Sequence, residues 1–405
     1  MLRQVAAYSG ARVVAAGLQA VALLLVARAL EPTDFGVFAS VLGALQFIQV
    51  FADGGASVAV MRFVNDRSAV EGLLRLSNLL GFASVAISLA FLSAAPWAFD
   101  SREPYLMLPL VLWVALERQC EVRSAVLISR DNTTWPSISL ILRRVLVVVS
   151  VAAAPSSVVF AYSFSSALTA AGAAAALYLV SKDIHAHERF STVAAARIAV
   201  PYWSSQVAQS ARQLDLTVLT LFGGGVAAAS FAPASRLLAP LLLIPGTYSQ
   251  VLLSKLAKEE RTLRRNDILA PMIASALFYL VLASLTPYWL PLLLGEKYAS
   301  ASLPLMIVIA GLIFATWRAI LTVGAQASGQ QRGAALAAWA GAATTLAATA
   351  AGGVLLGAVG AALASALGFV VQTGAVSRYS GIKSVTGCAR RSGRRTRSSA
   401  TTQEG

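Results

Sequence analysis

The sequence predicts an all-α polytopic membrane protein, with about twelve transmembrane helices in two six-helix bundles around a central cavity. Three observations predict it. Hydrophobic residues fill 57 % of the 405 positions and charged residues 12 %, with a mean hydropathy of +0.71, whereas about a quarter of a soluble domain is charged. Apolar runs of about twenty residues, the length a helix needs to cross the hydrocarbon core, recur along almost the whole chain. The basic residues sit in short clusters between those runs and sort by side. A spanning strand would need only about 9–11 alternating residues, so run length selects helices.

Taken in order, the runs are 8–30, 36–53, 74–99, 104–127, 134–154, 157–181, 198–222, 226–253, 268–294, 300–325, 333–354 and 356–377. The first begins with a basic residue and an apolar stretch like a signal peptide, but further spans follow at once, so an uncleaved first helix is expected. The second is the shortest and is expected to continue as an amphipathic stretch through Arg62. Phe222-Gly-Gly-Gly-Val226 and Pro155-Ser-Ser157 read as bare turns. The loops 181–198 and 254–267 are short and carry no phosphate-binding glycine pattern.

Orientation follows from the distribution of Lys and Arg. With the amino terminus in the cytoplasm, 23 basic residues fall on the cytoplasmic side and three, Arg28, Arg102 and Lys297, on the other. Both termini are therefore expected in the cytoplasm and the number of spans is expected to be even. The net charge of +14 would suit nucleic acid in a soluble domain, but this distribution excludes that partner. Residues 378–405 form a basic, Ser- and Gly-rich stretch, expected to be a disordered cytoplasmic tail drawn to anionic lipid headgroups.

The halves echo each other at offsets of 191 to 200 residues: Pro96-Trp97 with Pro287-Tyr288-Trp289, Ser166-Ala-Leu168 with Ser365-Ala-Leu367, Arg118 with Arg318. Two bundles of one orientation follow, 1–190 and 191–377. Transporters commonly hold substrate between such repeats, near mid-bilayer.

Six arginines, Arg12, Arg143, Arg144, Arg212, Arg236 and Arg318, fall inside the apolar runs. A charge at bilayer centre costs roughly 2.5–3.5 kcal/mol or more, so it faces a cavity, a partner or the bundle interior. A cationic interior implies an anionic substrate, since the guanidinium fork matches phosphate or carboxylate. The seventh run adds Gln206, Gln209, Gln213 and Thr217 at helical spacing, and the first adds Tyr8 and Gln19. Those stripes fit an aqueous path between the halves, or helix–helix hydrogen bonding in a packed bundle. Arg143 and Arg144 point about 100° apart, so one is expected in the cavity while the other snorkels to the headgroups.

Asp215, three residues after Arg212, reads either as its counter-ion or as a site coupling transport to a sodium or proton gradient. Asp53 reads as a structural turn residue at a helix end. Glu117 and Glu121 are expected to pair with Arg118 and Arg123. Cys120 and Cys388 show no pairing or metal-ligand spacing, and no metal or cofactor is expected. Neither a large outer loop nor a catalytic carboxylate pair is present, so no enzyme is expected; a membrane glycan polymerase is the weaker alternative.

Several segments resemble the Wzx-type lipid-linked oligosaccharide flippases of the multidrug/oligosaccharidyl-lipid/polysaccharide (MOP) superfamily. They are Ala27-Arg-Ala-Leu-Glu-Pro-Thr-Asp-Phe-Gly36, Ala52-Asp-Gly-Gly-Ala-Ser57, Arg212-Gln-Leu-Asp215, Phe231-Ala-Pro-Ala-Ser-Arg236, Leu294-Gly-Glu-Lys-Tyr298 and Gly357-Ala-Val-Gly-Ala-Ala-Leu-Ala364. The resemblance spans residues 1–380. It implies alternating access and a substrate-facing role for Arg212, Asp215 and Arg236. It also implies a polyprenyl-pyrophosphate-linked glycan substrate, crossing the bacterial cytoplasmic membrane alongside polysaccharide polymerase and export machinery. Another envelope-lipid flippase, or a multidrug exporter of the same superfamily, remains the alternative. Cationic drugs would want buried carboxylates, and this interior is rich in arginine.

Overall fold

The computed structural model describes residues 2–63, 66–99, 101, 103–181, 191–238, 241–242, 245–246, 248–249, 252, 265–327 and 330–379. Among these every regular element is a helix. The N-terminal half comprises α1 (Leu2–Ala29), α2 (Pro32–Asp53), α3 (Ala56–Arg62), α4 (Arg67–Phe99), α5 (Glu103–Leu106), α6 (Leu110–Ser129), α7 (Thr134–Ala153) and α8 (Val158–Ser181). The C-terminal half comprises α9 (Thr192–Ser210), α10 (Asp215–Arg236), α11 (Arg265–Ser284), α12 (Thr286–Leu294), α13 (Ser302–Ala327) and α14 (Gln331–Ser377).

Eight helical stretches are long and apolar enough to cross a membrane, or nine with α11 and α12 taken as one span bent by 62°. Two of the eight are hairpins. Gly224 (φ 83°, ψ 169°) breaks α10 and Gly357 (φ 58°, ψ −132°) breaks α14, conformations that glycine adopts without steric cost. Beyond Gly224 the chain runs back, so Ser235 meets Asp215 and Arg236 meets Gln213. Beyond Gly357, Gly360 packs on Gly352 and Gly368 on Gly341. Helix α6 misses the apolar criterion because it carries Glu117, Arg118, Glu121 and Arg123. Counted with α6, with the bent α11–α12 pair and with both arms of each hairpin, the described segments correspond to the twelve expected spans, of which the eighth, 226–253, is described only in part. Most of the loops 181–198 and 254–267 and of the tail 378–405 lies outside the described residues. The end where the hairpins reverse is called the hairpin end below, and the end where α1 begins and α14 finishes the terminal end.

The exterior is apolar along the spans: Phe82 is 78 % exposed and Leu355 79 %. Large apolar side chains turned outward along long helices are what a lipid environment selects. The molecule is a multi-pass membrane protein.

Local chemistry sets the helix ends. Pro32 stands in the first turn of α2, where its missing N–H costs nothing. At the other end Gly54 takes φ 58° and returns its N–H to the Phe51 carbonyl, and Gly55 (φ 77°) starts α3. That double-glycine break separates α3 from α2. Asp66 begins α4, accepting from the Ser68 hydroxyl at 2.7 Å and the Ala69 N–H at 3.0 Å. Those bonds hold its carboxyl below the usual range, the Ser68 hydroxyl contributing most.

The halves meet along a seam between α2 and α10. Gly36, Ser40 and Gly43 share one face of α2. A Cβ at Gly36 would stand 2.9 Å from the Ala229 nitrogen, and one at Gly43 would stand 1.8 Å from Arg236 Nη2. Backbones can approach this closely only where side chains are absent. Hydrogen bonds complete the seam: Ser40 Oγ lies 2.6 Å from Thr220 Oγ1, and Thr217 donates to the Ser40 carbonyl at 2.8 Å.

Both ends of the two halves also touch. At the terminal end Trp203 of α9 donates to the Phe51 carbonyl at 3.0 Å and packs edge-on to the Phe51 ring. At the hairpin end two cations exchange caps. Arg28, at the end of α1, donates to the carbonyls of Leu292 and Leu293 at the end of α12. Lys297, just past α12, donates to the carbonyls of Arg28 and Leu30. The last carbonyls of a helix lack intrahelical partners, so each helix here is finished by a cation from the other half.

Candidate functional site

The six intramembrane arginines separate into distinct environments. In the N-terminal half Glu117 of α6 lies between Arg143 and Arg144 of α7. Arg143 Nη1 is 2.5 Å from one carboxylate oxygen and Arg144 Nη2 is 2.7 Å from the other. Because adjacent helical residues diverge by about 100°, the two guanidiniums straddle the carboxylate. Neither aims at headgroups, so the expectation that one snorkels outward is corrected. Glu117 is 3 % exposed and inside the bundle. Its expected pairing with Arg118 is taken instead by Glu121, which holds Arg118 one turn along α6. Arg123 bonds Ser181 and lies over the Tyr178 ring. The Glu117 pairing is long-range and invisible to local spacing.

Arg12 is exposed on α1. Gln19, two turns on, donates to the Tyr162 hydroxyl at 2.6 Å. Asp53 closes α2 as a turn residue, its carboxylate accepting from Ser57 at 2.9 Å.

Arg236 belongs to the seam. It is 6 % exposed, and donates through Nε to the Ala39 carbonyl and through Nη2 to the Gln213 carbonyl, each at 3.0 Å. It thus ties the returning arm of α10 to α2 and to the turn that precedes α10.

Arg212 and Asp215 do not pair. The expected continuous stripe is interrupted because Ala211–Leu214 tightens into a 3₁₀ turn between α9 and α10. Asp215 turns to the returning arm of α10, accepting from the Ser235 hydroxyl at 3.0 Å and from the Leu216 N–H. Arg212 instead enters the α14 hairpin, where Gly341 leaves room for its Nη2. That nitrogen donates to the Gly368 carbonyl at 2.9 Å and to Gln372 Oε1 at 2.8 Å.

Arg318 of α13 approaches the same group from the opposite side, its Nη1 3.4 Å from Gln372 Oε1. The guanidinium carbons of Arg212 and Arg318 stand 4.3 Å and 5.8 Å from the Phe369 ring centroid, within cation–π range. Among the described residues no carboxylate lies within ion-pair distance of either. Nε and Nη1 of Arg212 and Nε of Arg318 are buried without a hydrogen-bond partner. Unmet donors on a buried cation are costly, and an anion is what would satisfy them.

Arg318 and Gln372 form part of the wall of a cavity of about 280 Å³ within the C-terminal half. Ser205 and Gln209 of α9, Ser249, and Thr322 of α13 supply further polar groups, while Leu242, Ala319 and Ala338 supply apolar wall. Gln209 donates to Ser205 at 3.4 Å. The side-chain oxygens of Gln206 and Gln213 are buried without partners. Seen by charge, the arginine pair of the N-terminal half is neutralised by Glu117, and that of the C-terminal half is not neutralised.

Fold and geometry together define a polytopic helical membrane architecture with a buried arginine pair that no carboxylate meets among the described residues. Residues 1–117 match the family described as polysaccharide biosynthesis protein. Over 91–93 % of its length the chain has the fold of solved transporters of the MOP superfamily. It aligns with the lipid II flippase MurJ in an inward closed conformation at TM-score 0.73 and 15 % identity, over 91 % of this chain and 86 % of that one. It aligns with an inward-facing multidrug-resistance MATE transporter at TM-score 0.66 and 14 % identity, over 91 % and 96 % of the two chains. A MOP transporter from Pyrococcus furiosus, described as having a binding pocket of reverse polarity, aligns at TM-score 0.60 and 13 % identity, over 93 % and 94 %. These neighbours are transporters and a flippase, not enzymes. No curated protein matches the chain by sequence.

Proposed function

We propose that this protein is a flippase that moves a polyprenyl-pyrophosphate-linked oligosaccharide across the bacterial cytoplasmic membrane by alternating access. The observation that carries the reading is the Arg212–Arg318 pair, two cations with unmet donors and no carboxylate beside a polar cavity. Such a site favours an anion and disfavours a cationic drug. The match of the first 117 residues to a polysaccharide biosynthesis family supports a glycan rather than a drug as cargo. The polyprenyl tail stays in lipid while the pyrophosphate and sugars cross inside. Asp215, buried beside the seam, is the residue through which a sodium or proton gradient couples to the cycle. By the distribution of basic residues both termini face the cytoplasm, and polysaccharide polymerase and export machinery act on the delivered substrate.

The test is the fate of lipid-linked glycan in cells lacking the protein. Completed units should accumulate on the cytoplasmic leaflet, out of reach of an impermeant probe, and the wild-type chain should release them. Arg212→Ala, present in the membrane at wild-type level, should not. Units found on the outer leaflet but unpolymerised would reject the reading in favour of a polymerase. In the same assay Asp215→Asn should abolish the dependence of flipping on the ion gradient; a dependence left intact removes the coupling role.

A further inference from the structure

The cavity of the C-terminal half has features that a pyrophosphate site between the halves does not require. It lies within one half, between α9, α13, α14 and the residues Leu242, Pro245, Gly246 and Ser249, toward the terminal end. Its volume, about 280 Å³, leaves room for a sugar ring. Its wall is unevenly divided. Arg318, backed by Arg212 through the shared Gln372 oxygen, gives one strongly cationic point. Ser205, Gln209, Ser249 and Thr322 give neutral donors and acceptors around it, and Leu242, Pro245, Ala319 and Ala338 give apolar surface.

A bare inorganic anion would use the arginine and leave the amide and hydroxyls to water. A neutral sugar would use the hydroxyls and leave the Arg318 charge without a counter-ion. A ligand satisfying both carries one oxyanion on a body rich in hydroxyls, with a ring face to lie on the apolar wall. We infer that this cavity is a recognition site for one oxyanion-bearing sugar, a sugar carboxylate or a sugar phosphate. The cavity stands on its own geometry; its use as a selectivity site for the cargo rests on the flippase reading. It would select among glycans by the unit it admits.

The probes are glucuronate, glucose 1-phosphate, inorganic phosphate and glucose, titrated calorimetrically into the full chain in lipid nanodiscs. Glucuronate or glucose 1-phosphate should bind saturably, and whichever binds identifies the oxyanion as carboxylate or phosphate. Glucose should not bind, and inorganic phosphate should bind more weakly than the ligand of the pair that binds. Arg318→Gln should weaken binding about tenfold or more, as loss of a charge-assisted contact does. Thr322→Ala, a cavity-wall change with little demand on folding, should weaken the sugar ligand but leave inorganic phosphate unaffected. Absence of saturable binding by both acidic sugars overturns the inference, as does binding indifferent to Arg318→Gln and Thr322→Ala in folded protein. If flipping of lipid-linked glycan persists in that case, the site fails and the flippase reading stands. If acidic sugars bind and no lipid-linked glycan is flipped, the site stands and the flippase reading fails.

Discussion

Glu117 shows how strongly one residue can decide what its neighbours are for. Arg143 and Arg144 are as deep and as cationic as Arg212 and Arg318, and by depth alone all four are equivalent. With a carboxylate between them, the first two become a buried ion triad whose donors point at a protein acceptor. Breaking a buried pair from one side leaves uncompensated charge, at about 3–5 kcal/mol. Glu117→Gln should therefore destabilise the protein by about that amount, read as a lowered Tm of the purified chain. Replacing Glu117, Arg143 and Arg144 together by Leu or Met should recover much of the loss, because the cost lies in the unpaired charge. A Glu117→Gln protein as stable as wild type would mean the triad contributes nothing to folding. Arg212 and Arg318 have no such partner among the described residues, and that makes them the binding candidates.

At the scale of elements, the contact between the halves depends on residues chosen for what they lack. Gly36 and Gly43 of α2 give the α10 hairpin its approach, and Arg236 then reaches the Ala39 carbonyl across the join and the Gln213 carbonyl on its own side. Gly43→Ala puts a methyl where Arg236 and the Gln213 carbonyl stand, so the seam must part or Arg236 must leave it. A loss of about 1–3 kcal/mol is expected from such overpacking, measured by thermal unfolding in detergent. Gly17→Ala is the control. Nothing stands within 4 Å of a Cβ there, and the better helix propensity of Ala should leave stability unchanged or slightly raised. Equal losses at the two positions would show that helix flexibility, and not the close approach, is what glycine supplies.

The two halves touch at both ends, through Trp203 and Phe51 at one and through the reciprocal caps of Arg28 and Lys297 at the other. The proposed alternating access requires one of these contacts to yield while the other holds. The Arg28–Lys297 clasp suits the yielding role because its bonds are exposed and end on carbonyls that water can also satisfy. Removing both cations should shift the balance toward the state open at the hairpin end by about tenfold, the scale of one or two charge-assisted hydrogen bonds. Arg28→Ala with Lys297→Ala should raise the labelling rate of a Gln19→Cys reporter by an impermeant thiol reagent accordingly. An unchanged rate would assign the closure to packing around Tyr298, whose hydroxyl bonds the Ala27 carbonyl.

Much of this protein was legible along the chain. Hydropathy and run length determine that it is a helical membrane protein, because each span must satisfy its own backbone in lipid. Gly224 marks where one pair of spans reverses, since an isolated positive-φ turn needs a residue without Cβ, whereas the second reversal falls at Gly357, inside the run 356–377. Depth singles out the arginines, because a charge in an apolar run is conspicuous wherever it points. Partnership is different, since it depends on contacts between residues far apart in sequence. Only the tertiary structure pairs Glu117 with residues 26 and 27 positions away, seats Arg236 in the seam, parts Asp215 from Arg212, and brings Arg318 to Gln372 across 54 residues. The chain determines which charges enter the membrane; the packing of helices decides which of them remain free to bind.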